Sequence, residues 1–355
     1  MQPKSLLHQM TLEHPTQFWN DGCEIHTLKK AIEHGATGAT SNPVLVLEAI
    51  DADRPRWTEE TRELAKDFPH ETEEQLAWRL VARLAVSAAD LLMPIFEQHR
   101  GTRGRLSLQV NPRLYPDADA MVEQATSFTR LRPNMAVKVP AVEAGLAAIE
   151  ELTARGVSVN ATVSFTLSQA IAVAEAMERG LDRAARAGID LRAVTPWVTI
   201  MVGRLDDHLR DRVKDAAIAI DPERVRQAST SVMRKAYRLF GERGYRSTLL
   251  SAAMRSHHHW SEFIGGKIVI TIPPAWQEKF NASGVEVRSR MDDHVAPEVI
   301  EELSAKLVDF GRAYQEGGLT PSEFVSFGAV KKTLLQFLDG YDRLLRFVRG
   351  VMLPL

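Results

Sequence analysis

The sequence predicts an α/β protein, a (β/α)8 barrel of the TIM type with additional helices and a helical C-terminal tail. Three observations predict it: eight short β-type runs, their alternation with long helix-period stretches, and no Pro/Gly/Ser-rich linker between them. The 355 residues would allow two domains, but parallel α/β barrels commonly spend this much chain on one, so a single domain over 1–355 is expected.

The first run is FWND at 18–21, followed by CEIHTLKKAIEHG as a helix. GATSN at 38–42 is the second, and the long 43–105 segment after it is helical, with Leu76, Leu80 and Leu84 four residues apart. That spacing fits packing on the barrel and leaves a homo-oligomer interface open. LSLQV at 106–110 and MAVKVP at 135–140 are the third and fourth runs. Ala144, Leu146, Ala147, Ile149 and Leu152 then follow a helical period, with Gly156 as the stop. VSVNATVS at 157–164 precedes the helix LSQAIAVAEAMERGLDRAARAG, and VTPWVTIMVG at 194–203 precedes a helical 204–246 segment. STLLSAAM at 247–254 and KIVITIP at 267–273 complete the eight, and a helical tail occupies about 295–350.

Charge is nearly balanced, 44 Lys+Arg against 46 Asp+Glu for a net −2, which removes the usual electrostatic reason for a nucleic-acid or acidic-membrane partner. The single cysteine, Cys23, excludes an intrachain disulfide and a cysteine-built zinc site and suits a reducing compartment. MQPKSLLHQMTLEHPTQ lacks a signal-type apolar stretch, and no run approaches the roughly 18 apolar residues of a membrane span, so cytoplasm is the expected location.

Residues two apart on a strand share a face, and a barrel strand covered on both sides should be apolar throughout. Several here are not: Ser107 and Gln109 share a face, as do Asn160, Thr162 and Ser164, and Thr199 and Met201. Val159, Ala161 and Val163, and Val198, Ile200 and Val202, take the opposite, helix-packed face. Asp21, Thr40, Asn42 and Lys138 lie late in their strands, where barrels of this class build active sites.

Lys138 sits among Ala136, Val137, Val139 and Pro140. Desolvation lowers a lysine pKa and suits the amine to attack on a ketone, forming a Schiff base; the bland alternative is a lysine snorkelling to solvent. Asp21 is a general acid/base or the N-cap of the following helix. Asn42-Pro43 reads as a turn and Thr162 as a satisfied polar group when taken singly, but polar groups gathered at one end of most strands point to a site. His257, His258 and His259 raise a metal site, against which consecutive side chains diverge and no acidic cluster lies nearby in sequence, so no metal is expected. Gly265 and Gly266 read as a turn before the eighth strand.

The sequence resembles the transaldolase family over nearly its whole length. The resemblance rests on WND at 19–21, GATSNPVLVL at 38–47, LSLQVNPRL at 106–114, AVKVPAVEAGLAAIEEL at 136–152, VNATVSFTLSQA at 159–170, VGRLDD at 202–207 and AAMR at 252–255. It implies a Schiff base at Lys138, acid/base work by Asp21, hydroxyl contacts from Asn42 and Asn160, and a Thr162-held water. Thr199 matches a substrate-contacting serine position, and Arg204 and Arg255 would bind the sugar phosphate, which guanidinium forks suit.

Four positions depart from the family pattern. Gln109 stands where transaldolases usually carry glutamate, as it does in the fructose-6-phosphate aldolases of the same superfamily. Met201 replaces phenylalanine, Val44 a small residue and Val142 a threonine. The expected activity is transfer of a dihydroxyacetone unit from a ketose phosphate, such as sedoheptulose 7-phosphate or fructose 6-phosphate, to an aldose phosphate. No cofactor is implied, because the protonated imine is itself the electron sink. The alternatives are an aldolase using free dihydroxyacetone or a related ketone, and a noncatalytic sugar-phosphate-binding barrel.

Overall fold

The computed structural model describes residues 2–353; of the 1–355 span expected as one domain, residues 1, 354 and 355 lie outside the described residues. Eight parallel strands close a barrel in sequence order: β1 (Gln17–Asp21), β2 (Gly38–Thr40), β3 (Arg105–Gln109), β4 (Met135–Pro140), β5 (Val159–Thr162), β6 (Trp197–Ile200), β7 (Thr248–Ser251) and β8 (Val269–Ile272). Helix α1 (Leu6–Glu13) precedes β1 and α2 (Ile25–Glu33) follows it. The 43–105 segment supplies α3 (Pro43–Ala52), α4 (Arg54–Asp67) and α5 (Glu73–Gln98). Next come α6 (Ala118–Thr129), α7 (Glu143–Ala154) and α8 (Leu167–Arg186), then α9 (Val202–Asp215), α10 (Pro222–Arg226) and α11 (Ala228–Arg243) after β6. Short α12 (His258–Ser261) separates β7 from β8, α13 (Pro274–Asn281) follows β8, and the tail forms α14 (Pro297–Lys306), α15 (Val308–Tyr314) and α16 (Gly328–Met352).

All eight sequence runs are strands, but several are shorter than read. GATSN stops at Thr40 because Asn42 caps α3, and VTPWVTIMVG keeps only Trp197–Ile200 because α9 starts at Val202. VSVNATVS ends at Thr162: Val163 has φ 56°, a conformation that costs a β-branched residue and breaks the alternation. Ser164 therefore does not continue the face of Asn160 and Thr162. Val163 joins a cluster with Phe165 and Met201, where helix packing was expected. α7 stops as the sequence indicates, with Gly156 at φ 77°.

Outward strand residues such as Leu108, Val137, Val139, Ala161 and Ile200 pack on helix faces that include Leu76, Leu80 and Leu84 of α5. The inside of the barrel has an apolar floor of Trp19, Ala136, Trp197, Leu250 and Val269, with the two indoles edge to face at 4.8 Å. Gly38 makes room for Trp19, since a Cβ there would stand 2.6 Å from the indole Cε2. In four strands the next inward position is polar: Trp19 gives way to Asp21, Ala136 to Lys138, Trp197 to Thr199 and Val269 to Thr271. One pleat thus carries the interior from a packed floor to a polar mouth at the C-terminal end.

The tail packs on the helices beside that mouth. α16 buries Leu334, Phe337, Tyr341, Leu344, Leu345 and Val348, a helical stripe. The Tyr341 hydroxyl donates to Glu74 Oε1 at 2.7 Å, Arg113 pairs with Asp342 at 2.7 Å, and Lys332 pairs with Asp211 at 2.6 Å. Among the described residues no helix is long and apolar enough to cross a membrane.

Candidate active site

Lys138 is 4% exposed, on β4 between Gln109 of β3 and Asn160 of β5 in the strand register. It does not snorkel to solvent. Among the described residues its ammonium makes one hydrogen bond, a long one of 3.5 Å to the Ser41 carbonyl. Burial pulls its pKa down to about 8; the Asp21 carboxylate opposes this and the Arg204 guanidinium adds to it. At pH 7 a pKa of 8 leaves about 10% of the amine neutral, against roughly 0.03% for a solvated lysine.

Asp21 ends β1 without capping α2, whose first amides are taken by Glu24. Its Oδ1 accepts from the Thr40 hydroxyl at 2.7 Å, and Thr40 lies 2.7 Å from the Thr271 hydroxyl. Each threonine has one proton, so the consistent chain is Thr271 to Thr40 to Asp21, which leaves Asp21 Oδ2 for other partners. Thr40, expected to touch substrate, gives its hydroxyl proton to the carboxylate and so orients it.

Asn160 is locked on both sides: its Nδ2 donates to Ser107 Oγ at 3.1 Å and its Oδ1 accepts from Thr199 at 2.7 Å. Asn42 spends its Oδ1 capping α3, accepting from the Val44 and Leu45 amides, so its amide NH2 is the group left to bind a ligand. Among the described residues the Thr162 hydroxyl finds only the Met201 sulfur, at 4.0 Å. Gln109 is 4% exposed and its Oε1 has no partner among the described residues. A buried, unpaired amide oxygen beside a buried amine costs free energy unless a water or ligand completes it.

The strained turn after β5 is held by Gln169, whose Nε2 donates to the carbonyls of Ala141 and Val163 and whose Oε1 accepts from Phe165 N. Gln277 braces β1 and β8 similarly, donating to Asn20 Oδ1 and the Ile272 carbonyl. Neither glutamine was singled out from sequence, and Thr271 was missed although the same alternation exposes it.

Arg204 opens α9 and is half-buried; burial first, then the charge of Arg255, hold its guanidinium below its ordinary value. Gly203 permits this close approach of α9 to the β7 loop, because a Cβ would collide with the Ala253 carbonyl. Arg255 is more exposed and pairs with Asp207 at 2.8 Å. The mouth thus gathers Lys138, Asp21, Arg204 and Arg255 into one electrostatic neighbourhood.

Among the described residues no group of three or more His, Cys, Asp or Glu is placed to hold a metal ion, the His257–His259 run included. His257 and His258 do not diverge as expected: their rings lie 4.0 Å apart. Fully buried His259 accepts from Arg255 N through Nδ1 at 3.0 Å and faces Asp206 through Nε2 at 2.7 Å. The backbone donor assigns the ring proton to Nε2, so this neutral imidazole ties the Arg255 loop to α9. Gly265 and Gly266 form a turn against Thr16 at the opposite end of the barrel, away from any phosphate at the mouth. Replacing His259 with Leu is expected to destabilise the fold by about 3 kcal/mol, because buried Asp206 loses its short contact at Oδ2 and keeps the longer one from the Ser229 amide at Oδ1; urea unfolding measures it.

Fold and mouth define a (β/α)8-barrel enzyme centred on one buried lysine. The chain belongs to the transaldolase/fructose-6-phosphate aldolase family, whose model matches residues 18–317. It is 30% identical over 301 residues to a transaldolase of Thiobacillus denitrificans, covering 80% of this chain and 83% of that one. It is 33% identical to transaldolase 1 of Streptomyces avermitilis over 61% of this chain and 57% of the relative, and 35% identical to the Kocuria rhizophila transaldolase over 52% and 50%. Among solved structures, a Haloferax volcanii malate synthase aligns at TM-score 0.26 with 12% identity, over 56% of this chain and 66% of that one.

Proposed function

We propose that this transaldolase-family enzyme moves a dihydroxyacetone unit from a ketose phosphate to an aldose phosphate through an imine on Lys138. The observation that carries the reading is the buried, nearly unbonded Lys138 amine with its pKa near 8. The neutral amine attacks the ketose carbonyl and the adduct loses water to give a protonated imine. Asp21 removes the proton from the β-hydroxyl, the bond between the α and β carbons breaks, and its electron pair enters the iminium to leave an enamine and a free aldose. The enamine then adds to the acceptor aldehyde, Asp21 returns the proton, and water releases the new ketose. A Thr162-held water carries protons between these steps. Asn42 and Asn160 hold hydroxyls with Thr199 behind Asn160, Met201 shapes the water pocket, and Arg204 and Arg255 hold the phosphate. The chain works as one unit and in the cytoplasm, a reading supported by eight strands closing one barrel and by a single free cysteine.

Gln109 supports a second reading, an aldolase that releases free dihydroxyacetone, because an amide cannot take a proton from the catalytic water as a carboxylate does. The two separate on product analysis. Transfer predicts that glyceraldehyde 3-phosphate forms from fructose 6-phosphate only with an aldose acceptor present; equal rates without one would refute it. Gln109→Glu is expected to raise the ratio of transfer to release about tenfold. It should also move the kcat/KM midpoint above 8, since a carboxylate beside the amine favours the ammonium.

A further inference from the structure

Helix α16 lies wholly beyond residue 317, where the family match ends, yet it reaches the mouth. Arg204 Nη1 donates to Gln336 Oε1 and, at 3.5 Å, to Thr333 Oγ1, and the guanidinium carbon stands 5.4 Å from the centre of the Phe337 ring. Among the described residues Arg204 has no carboxylate partner, whereas Arg255 has Asp207. Among the described residues its direct partners are neutral groups of the tail, while the Asp21 and Asp207 carboxylates act on its charge from longer range.

α16 is anchored well enough to act as a wall. Arg349 pairs with Glu73 at 2.5 Å, adding to the Tyr341, Asp342 and Lys332 contacts described above. Gly340 lies against Val44, where a Cβ would come within 2.8 Å of Val44 Cγ2. The departure at Val44 is therefore matched by the tail, which fits over the same loop that carries Asn42.

Gln336 itself is exposed, so it borders the solvent through which a substrate phosphate would arrive. An amide offers one acceptor oxygen and two donor hydrogens, so it can serve Arg204 and an anion together. A carboxylate at this position would satisfy Arg204 better and repel the phosphate. We infer that Gln336 is a specificity-determining residue of the sugar-phosphate subsite, holding Arg204 through Oε1 and presenting its NH2 to the phosphate, with Thr333 and Phe337 behind it. This rests on the reading that Arg204 binds phosphate.

The test compares KM for fructose 6-phosphate with KM for fructose, and titrates the resting protein with inorganic phosphate at constant ionic strength. Gln336→Ala is expected to raise the ratio of the two KM values and the phosphate Kd about tenfold, and Gln336→Glu about 100-fold. Arg204→Ala is the reference. If it shifts both readouts while both Gln336 variants leave them unchanged, the inference on Gln336 falls and the phosphate reading stands. If alanine and glutamate act equally, on phosphorylated and unphosphorylated sugar alike, Gln336 is scaffold and the inference is overturned. If Arg204→Ala shifts neither readout, the phosphate reading falls and takes Gln336 with it. Phosphate weakening in the expected order without any imine at Lys138 would uphold the subsite and refute only the chemistry.

Discussion

Lys138→Met is expected to abolish borohydride-stable labelling by fructose 6-phosphate or dihydroxyacetone and to lower kcat/KM at least about 10^4-fold, since the chemistry has no other route to the imine. Peptide mass mapping of the unaltered protein should place the adduct on Lys138. No adduct, as a noncatalytic barrel predicts, would sink the covalent mechanism, and an adduct elsewhere would move the site. The variant should fold at least as well as its parent. Because burial depresses the lysine pKa in the folded state, the native chain carries an ill-solvated ammonium below pH 8 and sheds the proton before the unfolded chain does. Between about pH 8 and 10.4 the unfolded state holds more protons, so stability rises with pH there. Removing the amine should therefore stabilise the fold at pH 7 by up to about 3 kcal/mol, an effect lost as pH rises through that window. In the unaltered enzyme kcat/KM should climb with pH through a midpoint near 8 and level off about one unit higher. A climb that continues past 10 would mean a solvated lysine.

Asp21→Asn separates imine formation from bond cleavage. Asparagine keeps an Oδ1 to accept the Thr40 hydroxyl, so the local structure survives, but the proton acceptor is lost. Cleavage is expected to fall about 10^3-fold while borohydride trapping at Lys138 persists. Because the Asp21 charge opposes the depression of the Lys138 pKa, trapping should begin at lower pH in the variant. Quantifying adduct and released aldose across pH measures both. Loss of trapping together with cleavage would show that Asp21 acts on the amine and not on the substrate hydroxyl.

Much of this site was legible because barrel strands are short and regular. The alternation at Ser107/Gln109 and Asn160/Thr162 marked the inward face, and Lys138 stood out as a charge in an apolar strand. The alternation failed at Val163, whose left-handed backbone is imposed by Gln169 from the following helix. It failed to reach His259, which joins Asp206 across 53 positions of sequence. The tail was read as helical, and nothing in its pattern showed that Gln336 would meet Arg204, 132 positions away.

The sequence by itself determined the barrel and marked Lys138 as the charge to explain, because a period-two pattern and the cost of a charge among apolar neighbours are local facts; that the amine is buried and does not snorkel was decided by the tertiary structure. The tertiary structure decided which polar groups remain available. Thr40 and Asn160 are engaged by neighbours, Gln109 Oε1 has no partner among the described residues, Asp21 is freed from capping by Glu24, and Arg204 is faced by the tail. Hydrogen-bond capacity is shared among groups brought together by barrel closure, and that division depends on three-dimensional proximity rather than on local pattern.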